Sequence, residues 1–152
     1  MSVSERLEEL GIDLPPVAAP VAAYVPAVVH GGLVYTSGQL PFTDGALPAT
    51  GKVGAEVDAE AAKGYARTCA LNALAAAADA AGGVDRIAGV LRVGGFVASD
   101  PSFTDQSGVI NGASEVLGEI FGDAGRHARA AVGMSSLPLD SPVEVEVAFI
   151  LA

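Results

Sequence analysis

The sequence predicts an α+β fold, with elements in the order β-β-α-β-α-β-β after a short N-terminal helix. Three observations carry that prediction. Two long segments repeat their apolar residues at helical spacing, and each is stopped by glycine. The C-terminal segment PVEVEVAFILA alternates at period two, as a strand does. The chain has 152 residues, 51% of them hydrophobic and only 17% charged, which suits one domain with a real core and excludes disorder.

The elements follow in order. Ser4 to Leu10 reads as a short amphipathic helix, with Ser4 as cap and Gly11 as stop, and residues 1–16 form an N-terminal extension ahead of a single domain at 17–152. The stretch IDLPPVAAPVAAYVP is proline-rich and must be extended or irregular. Strands are expected at 25–29 and 33–38, joined by a hairpin turn at His30-Gly31-Gly32. Residues 43–54, rich in Gly, Pro, Asp and Thr, read as a surface loop. Asp58 caps a helix that Gly82-Gly83 ends at Ala81, with Leu71, Leu74, Ala75, Ala78 and Ala81 as its apolar stripe. A strand at about 88–98 carries Leu91, Val93 and Val97. A second helix from about Phe103 to Phe121 places Val109, Ala113, Val116, Leu117, Ile120 and Phe121 on one face. Strands at about 129–135 and 142–151 complete the chain.

Composition narrows the function. Eighteen acids against eight Lys and Arg give a net charge of −10, and the basic residues are scattered, so nucleic acid is a poor partner. One cysteine, Cys69, excludes an internal disulfide, and His30 and His127 lack metal-ligand spacing. Cys69 is expected to pack as a small hydrophobe. No apolar run is long enough to span a membrane, and the charged start MSVSERLEEL does not read as a signal peptide, so the expected compartment is the cytoplasm. The low surface charge hints at an oligomer.

Three groups of residues could carry chemistry. Glu144 and Glu146 share one face of the last strand, opposite Val143, Val145 and Val147. They are either a solvated pair on an exposed face or a partly buried general base and its neighbour. Arg129 opens a strand after a turn. It is either a surface arginine or a clamp for a carboxylate. Tyr24 and Ser37-Gly38-Gln39 offer a phenol, a hydroxyl and close backbone approach, or else ordinary turn chemistry. Ser37 lies outside any nucleophile-elbow motif.

Taken together, AAYVPAV at 22–28, GGLVYTSGQLP at 31–41, RVGGFVASDPSF at 92–103, VING at 109–112 and HARAAVGMSSLPLDSPVEVEVAFILA at 127–152 resemble the Rid/YjgF family, also known by the older label endoribonuclease L-PSP. The resemblance covers about residues 17–152. It implies a YjgF/chorismate-mutase-like fold: a mixed sheet with two long helices on one face, assembled as a homotrimer with sites in the clefts between subunits. It also implies hydrolysis of reactive 2-imino acids to 2-keto acids and ammonia, without metal or organic cofactor. Arg129 matches the family arginine that binds the substrate carboxylate, and Glu144 the glutamate that positions water. Tyr24, Ser37, Gly38 and Asn111 match pocket positions. Ala131 stands where many members have cysteine, so a backbone role there survives and a thiol role does not. The alternatives are a non-catalytic binder of small carboxylates at the same clefts and, more weakly, an endoribonuclease.

Overall fold

The computed structural model describes residues 1–17 and 23–152, so part of the proline-rich stretch, 18–22, lies outside the described residues. The described chain folds as α1 (Val3–Leu10), β1 (Ala27–His30), β2 (Leu33–Thr36), α2 (Ala59–Ala81), β3 (Ile87–Ala98), α3 (Gln106–Phe121), β4 (Ala128–Met134) and β5 (Val143–Leu151). The strands form one mixed sheet in the order β1-β2-β5-β3-β4. All neighbours are antiparallel except β3 and β4, whose parallel pairing requires the long crossover that α3 provides.

The hairpin between β1 and β2 turns at Gly31 and Gly32, with φ of 56° and 82°. Two consecutive positive φ angles match the twist of the flanking strands, and glycine adopts them without strain. Helix α2 begins where expected: Asp58 Oδ1 accepts the Ala61 amide at 2.7 Å, and Gly82 ends it at φ 89°.

Helices α2 and α3 cover one face of the sheet. Val34, Val93, Val97, Val143, Val145, Val147 and Phe149 point into that layer and are buried. The opposite face carries Val28, Tyr35, Val132, Met134 and Ile150, all substantially exposed, together with Glu144 and Glu146. The α+β expectation and the two-helices-on-one-face arrangement therefore hold.

Several local expectations shift. The cap of α1 is Ser2, whose hydroxyl accepts from Glu5 N while the Glu5 carboxylate accepts from Ser2 N. Ser4 instead donates from its amide and hydroxyl to Asp85, both at 2.8 Å. Helix α3 starts at Gln106, capped by Asp105, whose Oδ1 accepts from Gly108 N at 3.0 Å, while Asp100 holds residues 100–103 in a turn of their own, its carbonyl accepting from Phe103 N at 2.9 Å. In β3 a register shift between Val90 and Arg92 buries Val90 and turns Leu91 outward, 44% exposed. Of the expected α2 stripe, Leu74, Ala75 and Ala78 are buried and Leu71 and Ala81 lie at the margin, while the core-facing arc also takes in Ala62, Ala66, Cys69, Ala70, Ala73 and Ala77. Alanine all round the helix leaves hydropathy unable to fix which arc faces inward. Within the 43–54 loop Val53 is fully buried and joins the core.

Candidate functional site

The predicted site residues fall into two groups, one on each side of the sheet. Arg129 lies on β4 beside Val93 of β3, and so projects to the helical side. There Nη1 donates to Asn111 Oδ1 at 2.8 Å and to Ser114 Oγ at 3.2 Å, both on α3. Nη2 approaches the Ser107 carbonyl at 3.5 Å, the outer limit of a hydrogen bond. Both Nη1 hydrogens are thereby committed to the protein. The Nε–H and an Nη2–H form the remaining parallel edge of the guanidinium, the edge that fits a carboxylate. Ala131 follows on the same side of β4, half-buried against the core.

Arg129 also differs in its charge environment from six of the other seven Lys and Arg, and from the seventh, Arg86, in being half-buried where Arg86 is exposed. Arg6, Lys52, Lys63, Arg67, Arg92 and Arg126 each lie within 4.0 Å of a carboxylate. Among the described residues, Arg129 is half-buried and held only by neutral acceptors.

The second group gathers around Glu144 on the bare face. Glu144 lies opposite Phe96 of β3, with its carboxylate over Gly38. A Cβ at position 38 would stand 2.8 Å from both Cδ and Oε2 of Glu144, so any side chain there would push the Glu144 carboxylate aside. Burial and the neighbouring Glu146 raise the Glu144 carboxyl above its ordinary value. Ser37 is pinned beside it, its hydroxyl donating to Val25 O at 2.6 Å and its amide to Pro26 O at 2.8 Å. This brings Ser37 to the segment that follows Tyr24, a half-exposed residue.

Sequence reasoning missed the residues that hold this second group in place. Thr36 Oγ1 accepts the Val147 amide at 3.0 Å where the β2–β5 ladder opens. Beyond that gap, Gln39 and Val145 resume pairing. Asn72 Nδ2 donates to the carbonyls of Leu40 and Phe42, tying the Ser-Gly-Gln-Leu-Pro segment to α2. An asparagine inside an alanine-rich helix was the signal available for it. Ser114 and His127, beside Arg129, were missed as well. Cys69 is fully buried, and desolvation pushes its thiol well up, in keeping with a packing role. Among the described residues, no three His, Cys, Asp or Glu side chains gather as metal ligands, and no helix is long and apolar enough to cross a membrane.

Residues 4–150 match the family described as "YjgF/chorismate_mutase-like, putative endoribonuclease". The chain belongs to this family. Protein TCP17 of Trypanosoma cruzi is 43% identical over 145 residues, covering 95% of this chain and 91% of TCP17. The crystal structure of Atu1372 from Agrobacterium tumefaciens, a protein of unknown function, is 44% identical with a TM-score of 0.90, over 99% of this chain and 92% of that one. A Shewanella oneidensis MR-1 structure described as a "putative endoribonuclease" is 34% identical with a TM-score of 0.94, over 99% and 100% of the two chains. Both solved structures match along nearly the whole length of this chain.

Proposed function

We propose that this YjgF-family protein hydrolyses small 2-imino acids to 2-keto acids and ammonia, at sites shared between subunits of a homotrimer. The observation that carries the reading is Arg129, a half-buried cation without a carboxylate partner among the described residues and with one bidentate edge left over. A desolvated positive charge of this kind favours an anion, and a planar fork favours a carboxylate. Glu144 supplies the chemistry. Its raised carboxyl exchanges protons nearer neutrality than an ordinary glutamate. It takes a proton from the water that attacks the carbon of the protonated imine, giving a carbinolamine. It returns that proton to the amine nitrogen and takes the hydroxyl proton as the C–N bond breaks, the carbonyl forms and ammonia leaves.

Arg129 and Glu144 project from opposite faces of one sheet, so a pocket using both draws them from two chains. The exposed Val28, Tyr35, Val132, Met134 and Ile150 on the Glu144 face give such an assembly apolar surface to bury. Ribonucleolysis fits less well, because six of the eight Lys and Arg are already paired with acids. Ala131 in place of the family cysteine favours the second reading, a carboxylate binder without turnover.

One experiment separates these readings. A dehydratase releasing 2-aminoacrylate is coupled to the protein, and keto-acid formation is followed alongside pyruvate binding. Wild type should accelerate keto-acid release. Arg129→Ala and Arg129→Lys should both lose about 2–4 kcal/mol of transition-state binding, roughly a hundredfold in kcat/KM, since lysine keeps the charge without the fork. Glu144→Gln should slow turnover and still bind pyruvate. Pyruvate binding without any acceleration by wild type would replace hydrolysis with the binder reading, and full activity in Arg129→Ala would end both.

A further inference from the structure

Arg129 is not the last link in its own hydrogen-bond chain. Ser114 Oγ, which accepts from Arg129 Nη1 at 3.2 Å, lies 2.9 Å from His127 Nε2. His127 Nδ1 in turn lies 2.6 Å from the Gly125 carbonyl oxygen. A carbonyl oxygen only accepts, so Nδ1 carries the hydrogen. In the neutral ring that leaves Nε2 as an acceptor, and the Ser114 hydroxyl donates to it. The serine hydrogen is then turned away from Arg129 and an oxygen lone pair is turned toward it. Gly125 is itself fixed: it is buried, and a Cβ there would meet Leu117 O at 2.7 Å. The relay is therefore anchored on backbone at one end and delivers a directed acceptor at the other.

Without His127, Ser114 has a competing option. A serine inside a helix readily donates to the carbonyl four residues earlier, here that of Ile110, and this would turn its lone pairs away from the guanidinium. We propose that Ser114 and His127 are positioning residues for Arg129, a relay from the Gly125 carbonyl that presents the Nε/Nη2 edge to the substrate carboxylate. The proposal rests on the carboxylate role given to Arg129 above and adds two residues to it.

The test compares Ser114→Ala, Ser114→Thr, His127→Phe and Arg129→Ala, using pyruvate binding by calorimetry and steady-state kinetics on 2-aminoacrylate-derived imine. Loss of one neutral hydrogen bond to the clamp should weaken pyruvate binding about 3- to 10-fold in Ser114→Ala. His127→Phe keeps the ring and removes both nitrogens, and should weaken binding about 2- to 5-fold. In both variants KM should rise with kcat nearly unchanged, because the clamp holds ground state and transition state alike. Ser114→Thr keeps the hydroxyl and should restore near wild-type binding. In the Arg129→Ala background neither change should lower kcat/KM further, since the relay would have nothing left to orient. If Arg129→Ala loses pyruvate while Ser114→Ala and His127→Phe bind like wild type, the relay is wrong and the clamp stands. Additive losses in the Arg129→Ala background would also overturn the relay. If Arg129→Ala itself binds pyruvate normally, the clamp and the relay fall together.

Discussion

Mixing two inactive variants tests whether the site is shared between chains. Arg129 leaves β4 on the side of α3, whereas Glu144 leaves β5 on the bare side, with the sheet between them. Layers packed on the two faces of a sheet lie about 10 Å from it on either side. The carboxylate carbon and the imine carbon of a 2-imino acid are directly bonded, so one small substrate cannot bridge that separation within a single chain. In a closed ring where each site takes Arg129 from one subunit and Glu144 from its neighbour, random equimolar mixing leaves about one quarter of the sites with both native residues. Arg129→Ala and Glu144→Gln, co-refolded or co-expressed, should therefore recover about a quarter of wild-type turnover from parents each far below it. Imine hydrolysis is followed as before, and native mass spectrometry confirms that subunits have exchanged. A site built within one chain gives no recovery, because no chain in the mixture carries both residues. Mixed oligomers no more active than their parents would refute the shared site.

Two further expectations concern the scaffold. A Cβ at Gly112 would stand 2.0 Å from the Lys63 carbonyl of α2, so Gly112→Ala should force α2 and α3 apart and cost about 3 kcal/mol in urea unfolding. Gly118→Ala on the same helix meets nothing within 4 Å and should gain about 0.5–1 kcal/mol; equal midpoints for the two variants would contradict the packing described. Glu144 supplies a pH signature. A carboxyl held above its ordinary value binds its proton more tightly in the folded chain, so that glutamate costs stability as pH rises through the raised value. Glu144→Gln should raise the urea midpoint at pH 7, and the gain should vanish below about pH 4, where glutamate is protonated in both states; a gain unchanged by pH would show that the carboxylate's charge is not its source.

The fold was largely legible in the sequence because its signals are local. Asp58 and Gly82 bound α2 by their own backbone chemistry, and Gly31-Gly32 dictates the hairpin. Alternation in PVEVEV assigns the faces of β5 without further knowledge. What was illegible depends on distant partners. The cap of α1 passed from Ser4 to Ser2 because Asp85, 81 residues away, takes Ser4. The bulge that exposes Leu91 depends on how β3 registers with β5. The candidate site divides in the same way. Arg129 and Glu144 stand out as charges in apolar strands, whereas Ser114, His127 and Thr36 are ordinary residues until folding sets their partners.

The choice between the two glutamates shows what the fold adds. Alternation puts Glu144 and Glu146 on one face as equals, and nothing in PVEVEV distinguishes them. Their neighbours do. Glu146 lies beside Gly94, with its Oε1 3.8 Å from Arg92 Nη1. Glu144 lies against Phe96 and the backbone of Gly38, with no cation within 4.0 Å among the described residues. Burial without a counter-charge, next to a second carboxylate, pushes its proton affinity upward. A group that must accept a proton from water and then return it to a leaving amine works best under those conditions. The same surroundings explain the glycine of the Ser-Gly-Gln unit. Any side chain at position 38 would displace the Glu144 carboxylate while leaving the rest of β5 in place, so Gly38 is where the proposed role of Glu144 meets the backbone.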